Sequence, residues 1–349
     1  MTDEIIKPNY DFVNMLRESA KNNNSIACMG LDPTFESIPI DGTFRTKVTQ
    51  FYEKIFDRML IEGVLPGAFK PNHGFYEKHD NKKTYYHEGS ETLNDVIFML
   101  NSKFPGTPII LDFKRADIAN SSTNYAEVGI KSGANAVTVP PYMGTDSVMP
   151  FIETGMGVYI LDRTSNEGGK DFQNKMTIRD KEAFKKGLNA LLFNGKDNLN
   201  LVDMARTQSN VTIGRFIDNY IWKFIEQEAP PLYQIVAEKI AGDWSKDYKG
   251  VGAVFGATNI EELKAIAPFF AKNNTPLLIP GVGKQGGSAQ EVIEALYKSG
   301  YNLSLARINS SREITHPWKI AVNAPKEWDV AVVQNLKKLN GDINYRNAA

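Results

Sequence analysis

Apolar positions along this chain recur in two alternating modes. Short β-rich runs bounded by glycine, proline or polar residues occur at 25–30, 67–71, 108–114, 136–139, 157–162, 252–256, 276–280 and 303–309. Between them lie stretches whose apolar residues return at helical spacing, at 44–62, 89–103, 121–132, 231–241, 260–272 and 289–299. Asn259, Ser288 and either Asn120 or Ser121 stand where N-caps belong, and Gly63, Gly133 and Gly300 where helices stop. Eight strands in strict alternation with helices predict a parallel sheet, and the count favours a (β/α)8 TIM barrel over a doubly wound sheet. The expected organisation is one barrel domain over 1–349, interrupted after strand five by a helical insertion at 167–230 with patterns near 181–192 and 215–228. That is too much chain for a simple loop. Residues 324–349 should add a helix at 328–339 and a polar tail from 340 that frays.

Composition narrows the class. With 349 residues, 42% hydrophobic and 23% charged, the chain reads as a soluble globular protein with a large core. Forty basic residues against forty-one acidic leave a net charge of −1, so no global field draws nucleic acid or an anionic membrane surface. A charged ligand must therefore be held by local groups. The first ten residues carry Asp3, Glu4 and Lys7 and no long apolar run, and nothing approaches a membrane span, so neither a signal peptide nor a membrane segment is expected; the single cysteine fits a reducing, cytoplasmic setting. The lone Cys28 has no disulfide partner and sits in an apolar run, where a small core residue is expected.

Chemistry concentrates at the predicted strand ends, which in a barrel line the active face. The run Leu111-Asp112-Phe113-Lys114-Arg115-Ala116-Asp117-Ile118 closes the third strand. Strand alternation would turn Asp112 and Lys114 to one face, where a carboxylate and an ammonium keep each other charged. Asp32 closes the first strand, Lys70 and Asn72 share a face on the second, and Arg163 to Asn166 end the fifth. After strand seven comes the glycine-rich run Pro280-Gly281-Val282-Gly283-Lys284-Gln285-Gly286-Gly287, and after strand eight Asn309-Ser310-Ser311-Arg312. A glycine-rich turn plus an arginine fork at strands seven and eight predicts a phosphate site, with Gln285, Gly286, Gly287 and Arg312 as contacts and Lys284 facing solvent. His73, His79, His87 and His316 are scattered and read as surface or structural. No Rossmann fingerprint, Walker A loop or zinc spacing is present.

Taken in order from residue 25 to about 315, the segments Gly30-Leu31-Asp32-Pro33, Phe69-Lys70-Pro71-Asn72, Asp112-x-Lys114-x-x-Asp117-Ile118, Val137-Thr138-Val139, Tyr142-Met143-Gly144, Thr164-Ser165-Asn166, Pro280 to Gly287 and Asn309 to Arg312 resemble the orotidine 5′-phosphate decarboxylase family. The resemblance implies conversion of orotidine 5′-phosphate to uridine 5′-phosphate and CO2, with no cofactor and no metal. It further implies that Lys70, Asp112, Lys114 and Asp117 form an alternating charged network with Lys114 as proton donor. Asp32 and Lys70 would meet the ribose hydroxyls with support from Asn72. Ser165 would hydrogen-bond the pyrimidine edge and Pro280 pack on the ring, while Gln285 and Arg312 bind phosphate. Asp117, Ile118 and Ser121 would reach into a neighbouring subunit's site, so a homodimer is expected. Glu313 departs from the pattern, since a small residue usually follows this arginine. Repulsion from a phosphate should turn it outward. Two rivals stand beside this reading: a metal-dependent barrel enzyme of the same superfamily acting on a sugar phosphate, and a non-catalytic nucleotide-binding barrel. Lys70, where the metal enzymes place an acidic residue, counts against the first; Asp112 with Lys114 counts against the second.

Overall fold

The computed structural model describes residues 11–81, 86–193, 220–283 and 286–345. Eight strands, β1 Ala27–Leu31, β2 Ala68–Pro71, β3 Ile110–Leu111, β4 Ala136–Val139, β5 Gly157–Arg163, β6 Val251–Phe255, β7 Leu277–Ile279 and β8 Ala306–Ser310, pair in parallel in the order β2-β1-β8-β7-β6-β5-β4-β3. The two ends of this sheet meet through parallel bridges Phe69–Ile109 and Asn72–Asp112, with Phe69 N–H donating to Pro108 O and Asp112 N–H to Pro71 O, both at 2.9 Å. The result is the eight-stranded barrel predicted from alternation. Its strands are almost wholly buried, as expected where helices cover a parallel sheet.

Helix α2 (Phe44–Glu62) follows the predicted bounds because both stops are local. The Thr43 hydroxyl accepts from Thr46 N–H at its start, and Gly63 takes φ +63° at its end. Phe44, Val48, Phe51, Tyr52, Ile55, Phe56 and Met59 form its buried stripe. The C-terminal helix, Trp328–Ile343, packs on this stripe: Phe51 and Trp328 stack with centroids 4.8 Å apart, and Arg58 Nε donates to Asp329 at 3.1 Å. The tail does not fray at residue 340 as predicted. Asn340 accepts from the Ser25 hydroxyl at 2.7 Å and donates to Leu65 O at 3.1 Å, and Ile343 is buried.

Several helices lie outside the predicted set. Helix α1 (Phe12–Asn22), capped by Asp11 on the amides of Val13 and Asn14, lies at the amino-terminal end of the strands. There the buried Arg307 donates to Leu16 O at 2.6 Å and Gly67 O at 2.9 Å, tying α1 to β2 and β8. Two further helices, α3 (His73–Glu77) and α6 (Thr145–Glu153), are likewise additional to the predicted set. Helix α4 (Glu88–Lys103) begins one residue before its predicted start, and α5 (Ala119–Lys131) also starts earlier than predicted, with Ile118 rather than Asn120 or Ser121 at the N-cap; Asn259 caps its helix without a side-chain bond whereas Ser288 accepts from Glu291 N–H.

The chain divides into two compact units, Met1–Asn166 with Ala237–Ala349, which holds the barrel, and Glu167–Val236. In the second, helices Lys181–Phe193 and Trp222–Glu228 approach closely: Phe184 and Phe224 have ring centroids 5.3 Å apart, and a Cβ on Gly187 would meet the Phe224 ring at 2.6 Å. Part of the predicted 215–228 pattern, residues 215–219, lies outside the described residues.

Buried His316 makes a stability prediction. Its ring stacks on Phe51 at 5.1 Å and bonds the Thr315 hydroxyl at 2.7 Å, while Nε2 has no partner among the described residues. Burial pushes the imidazole down to about 4. An unfolded histidine near 6.5 then binds the proton first, so the contribution is whole above about pH 6.5 and is lost as pH falls from there through 4. Denaturant unfolding at pH 7 and pH 4.5 should show the wild type losing roughly 2–3 kcal/mol more than His316→Phe; equal losses would show a charged or solvated imidazole. Cys28 is equally inert: burial pushes its thiol up to about 12.

Candidate active site

Asp112 is the hub of the polar groups at the carboxyl-terminal end of the strands. Its Oδ2 accepts from Lys70 Nζ at 2.8 Å and from Asn72 Nδ2 at 3.5 Å; its Oδ1 accepts from Lys114 Nζ at 2.5 Å and from the Thr138 hydroxyl at 2.9 Å. Burial alone would raise this carboxyl, but Lys70 and Lys114 outweigh it and hold Asp112 well below the usual carboxylate range. Lys70 is pulled the other way: burial favours the neutral amine, yet Asp112 and Asp32 keep the ammonium above its ordinary value. Both groups are therefore ionised at neutral pH. Two ammoniums around one carboxylate leave one net positive charge, and its exposed member is Lys114, with 47% of its side chain accessible.

The sequence reading paired Asp112 and Lys114 through strand alternation, and they do meet, but by a different route. Strand β3 ends at Leu111, and Lys114 lies beyond it in the left-handed region at φ +46°. The turn, not the pleat, brings its ammonium back to Asp112, and the Lys114 amide is fixed by donating to the Thr138 hydroxyl at 3.2 Å. Thr138 is buried on β4 and was absent from the sequence-derived candidates. Its segment Val137-Thr138-Val139 is part of the resemblance, but a threonine in a strand is ordinary β-propensity, and its three-dimensional neighbours are what give it a role.

Asp32 ends β1 with a buried Oδ1 that has no hydrogen-bond partner among the described residues. An acceptor left open there is suited to a hydroxyl donor. Asp117, Ile118 and Ser121 stand at the start of α5. Asp117 Oδ1 accepts from Ile118 N–H at 2.7 Å, Ile118 is 57% exposed, and none of the three contacts Lys70, Asp112 or Lys114 among the described residues. The intervening turn is held by Arg115, whose guanidinium donates to Phe113 O and to Glu77, with His73 alongside.

The glycine-rich turn after β7 folds on itself. Gly281 and Gly283 take φ +86° and +135°, the Gly287 amide donates to Gly281 O at 2.8 Å, and the Gly286 amide to Gly283 O at 3.0 Å. A Cβ on Gly281 would meet Ser165 at 2.9 Å, so the predicted pyrimidine contact and the predicted phosphate turn are adjacent. Pro280 O accepts from Ala257 N–H, which fixes the turn to the end of β6. Arg312 begins the short helix after β8, is exposed, and makes no side-chain hydrogen bond or ion pair among the described residues. Lys284 and Gln285 lie outside the described residues. The expectation that Glu313 points outward fails: a Cβ on Gly283 would fall 1.9 Å from its Oε2, which places the carboxylate against the turn. Glu313 stands on the short helix Arg312–Thr315, whose backbone sets its direction, whereas the repulsion exists only with an anion bound.

Among the described residues, no group of three or more His, Cys, Asp or Glu side chains is arranged to hold a metal ion, and no helix is long and apolar enough to cross a membrane. Residues 67–192 match the family described as Orotidine 5′-phosphate decarboxylase / HUMPS. An orotidine 5′-phosphate decarboxylase of Halobacterium salinarum is 33% identical over 307 residues, covering 87% of this chain and 88% of the relative; one of Ralstonia pickettii is 30% identical over 311 residues, covering 87% and 89%. The solved OMP decarboxylase of Leishmania donovani superposes with a TM-score of 0.61 at 24% identity over 96% of this chain and 99% of that one, a likeness of fold.

Proposed function

The chain belongs to the orotidine 5′-phosphate decarboxylase family of carboxy-lyases, and from that premise we propose that it converts orotidine 5′-phosphate (OMP) to uridine 5′-phosphate (UMP) and CO2 in pyrimidine nucleotide biosynthesis, without a cofactor. The observation that carries this reading is the array Lys70–Asp112–Lys114 at the active end of the barrel. When the bond from C6 to the carboxylate breaks, CO2 departs and the electron pair stays in an sp² orbital outside the ring π-system. Resonance cannot spread that charge, so a preorganised cation must stabilise it. Lys114 is the exposed cation of the array; it stabilises the carbanion, then transfers a proton from Nζ to C6, and solvent reprotonates the amine. Asp112 keeps Lys114 charged and aligned. It also stands near the departing carboxylate, where two charges ~4 Å apart at an effective dielectric of 20 repel by about 4 kcal/mol, relieved as CO2 forms. Alignment is the larger contribution, because it acts on the transition state directly.

Other roles follow the same premise. The open oxygen of Asp32 receives a ribose hydroxyl, with Lys70 and Asn72 beside it; Ser165 and Pro280 meet the pyrimidine; Arg312 and Gln285 grip the phosphate. Because the Gly286 and Gly287 amides are donated within the turn, the arginine fork carries more of that grip. Asp117, Ile118 and Ser121 complete the site of a second copy in a homodimer. The apolar exposure of Ile118, Tyr125, Val128, Tyr142 and Met143 on α5 and the segment after β4 supports such a face.

Purified protein mixed with OMP should remove the orotidine absorbance in the ultraviolet, with a chelator making no difference. A protein that binds UMP but leaves OMP intact would be the non-catalytic barrel, and turnover abolished by chelator and restored by a divalent cation would favour the metal-dependent relative.

A further inference from the structure

The two oxygens of Asp112 are held from opposite sides. Lys70 and Asn72, from the β2 side, bond Oδ2, while Oδ1 takes Lys114 and, from β4, the Thr138 hydroxyl. This pins the plane of the carboxylate across three adjacent strands. The valences of the hydroxyl are assigned without ambiguity. An ionised carboxylate only accepts and an amide N–H only donates, so Thr138 gives its proton to Asp112 at 2.9 Å and receives the Lys114 amide at 3.2 Å. One buried side chain thus fixes both ends of the Lys114 residue: its backbone directly, and its ammonium through the shared oxygen of Asp112.

That double hold matters because of where Lys114 stands. It is past the end of β3, in a left-handed backbone conformation that a lysine adopts only when its surroundings impose it, and its ammonium is exposed. Among the described residues no ladder bond orients Lys114. The Thr138 contact is the described one that ties its amide to the barrel wall.

We propose that Thr138 is a positioning residue for the reaction: by clamping the Lys114 amide and the Asp112 carboxylate with one hydroxyl, it sets the direction in which the Lys114 ammonium points. The inference deepens the decarboxylase reading and rests on it. A proton donor displaced by a fraction of an ångström to one ångström loses rate without losing the ligand contacts made by other residues. The consequence belongs in kcat rather than KM, at about 10²-fold for such a displacement.

Thr138→Val keeps the β-branched shape and removes both hydrogen bonds, and Thr138→Ser keeps the hydroxyl and removes the methyl group. Steady-state OMP decarboxylation by wild type and both variants, with melting temperatures alongside, separates the outcomes. The expected result is a kcat lowered about 10²-fold in the valine variant with KM within about threefold of wild type, and the serine variant within about threefold of wild type in both constants. Should the valine variant fail to fold, Thr138→Ala carries the same expectation. Unchanged kcat in a folded valine or alanine variant, or a serine variant as slow as the valine one, overturns the role while leaving the decarboxylase reading intact. A wild type that turns over no OMP overturns both.

Discussion

Lys114→Ala should lower kcat for OMP by on the order of 10⁵-fold, the product of a general acid's roughly 10²–10⁴ and an electrostatic contact's roughly 10²–10³. The substitution removes the exposed cation from the array and takes its net charge from +1 to zero. Asp112 keeps Lys70, Asn72 and Thr138 as donors, so no buried carboxylate is left alone and the fold should persist. Alanine also inherits a left-handed position that lysine already tolerates, so backbone strain changes little. Circular dichroism and a melting curve close to wild type, together with turnover at the limit of detection, are the expected pair of results. Folded protein with turnover within tenfold of wild type would assign proton transfer to another group.

Arg312→Ala tests whether the distant end of the substrate contributes to chemistry at C6. A charged hydrogen bond contributes about 1.5–3 kcal/mol, so losing a two-pronged fork should lower kcat/KM for OMP by roughly 10²–10⁴-fold. The same variant should act on orotidine, which lacks the phosphate, within about threefold of wild type, because remote binding energy is felt only by a substrate that carries the remote group. The side chain is exposed and makes no bond or ion pair among the described residues, so its removal takes nothing from the core. Equal losses on both substrates would mean that Arg312 acts on the barrel rather than on the phosphate. The carboxylate of Glu313 stands against Gly283, so a negative group borders the turn proposed to meet the phosphate.

What was legible in the chain depended on whether the decisive interaction was local. Helix 44–62 could be bounded because Thr43 and Gly63 carry their own start and stop, and the barrel followed from repetition of strand and helix. The sequence pattern carries strand three on to Lys114, three residues past its end at Leu111. Its apolar and polar alternation continues past the last ladder pairing, and what ends it is the left-handed turn at Lys114, held by a threonine 24 residues on. The helix at Phe12–Asn22 is absent from the predicted set although Asp11 caps it and Phe12, Val13, Leu16 and Ala20 share its buried face. Arg307 reads as an ordinary charge near a strand start, and only the backbone carbonyls of Leu16 and Gly67 gathered around it show why an arginine is buried there. The Asp112–Lys114 contact was legible from spacing, its cause was not, and the orientation of Glu313 could not be read from charge alone because the anion that would repel it is a ligand.

A crystal structure with a uridine-type nucleotide bearing an anionic substituent at C6 would show where the Lys114 ammonium points during the reaction. The Lys114 amine should lie within hydrogen-bond reach of that substituent, about 3 Å, with Asp112 still between the two lysines. A pyrimidine bound elsewhere, or a Lys114 side chain directed into bulk water with the nucleotide in place, would contradict that placement.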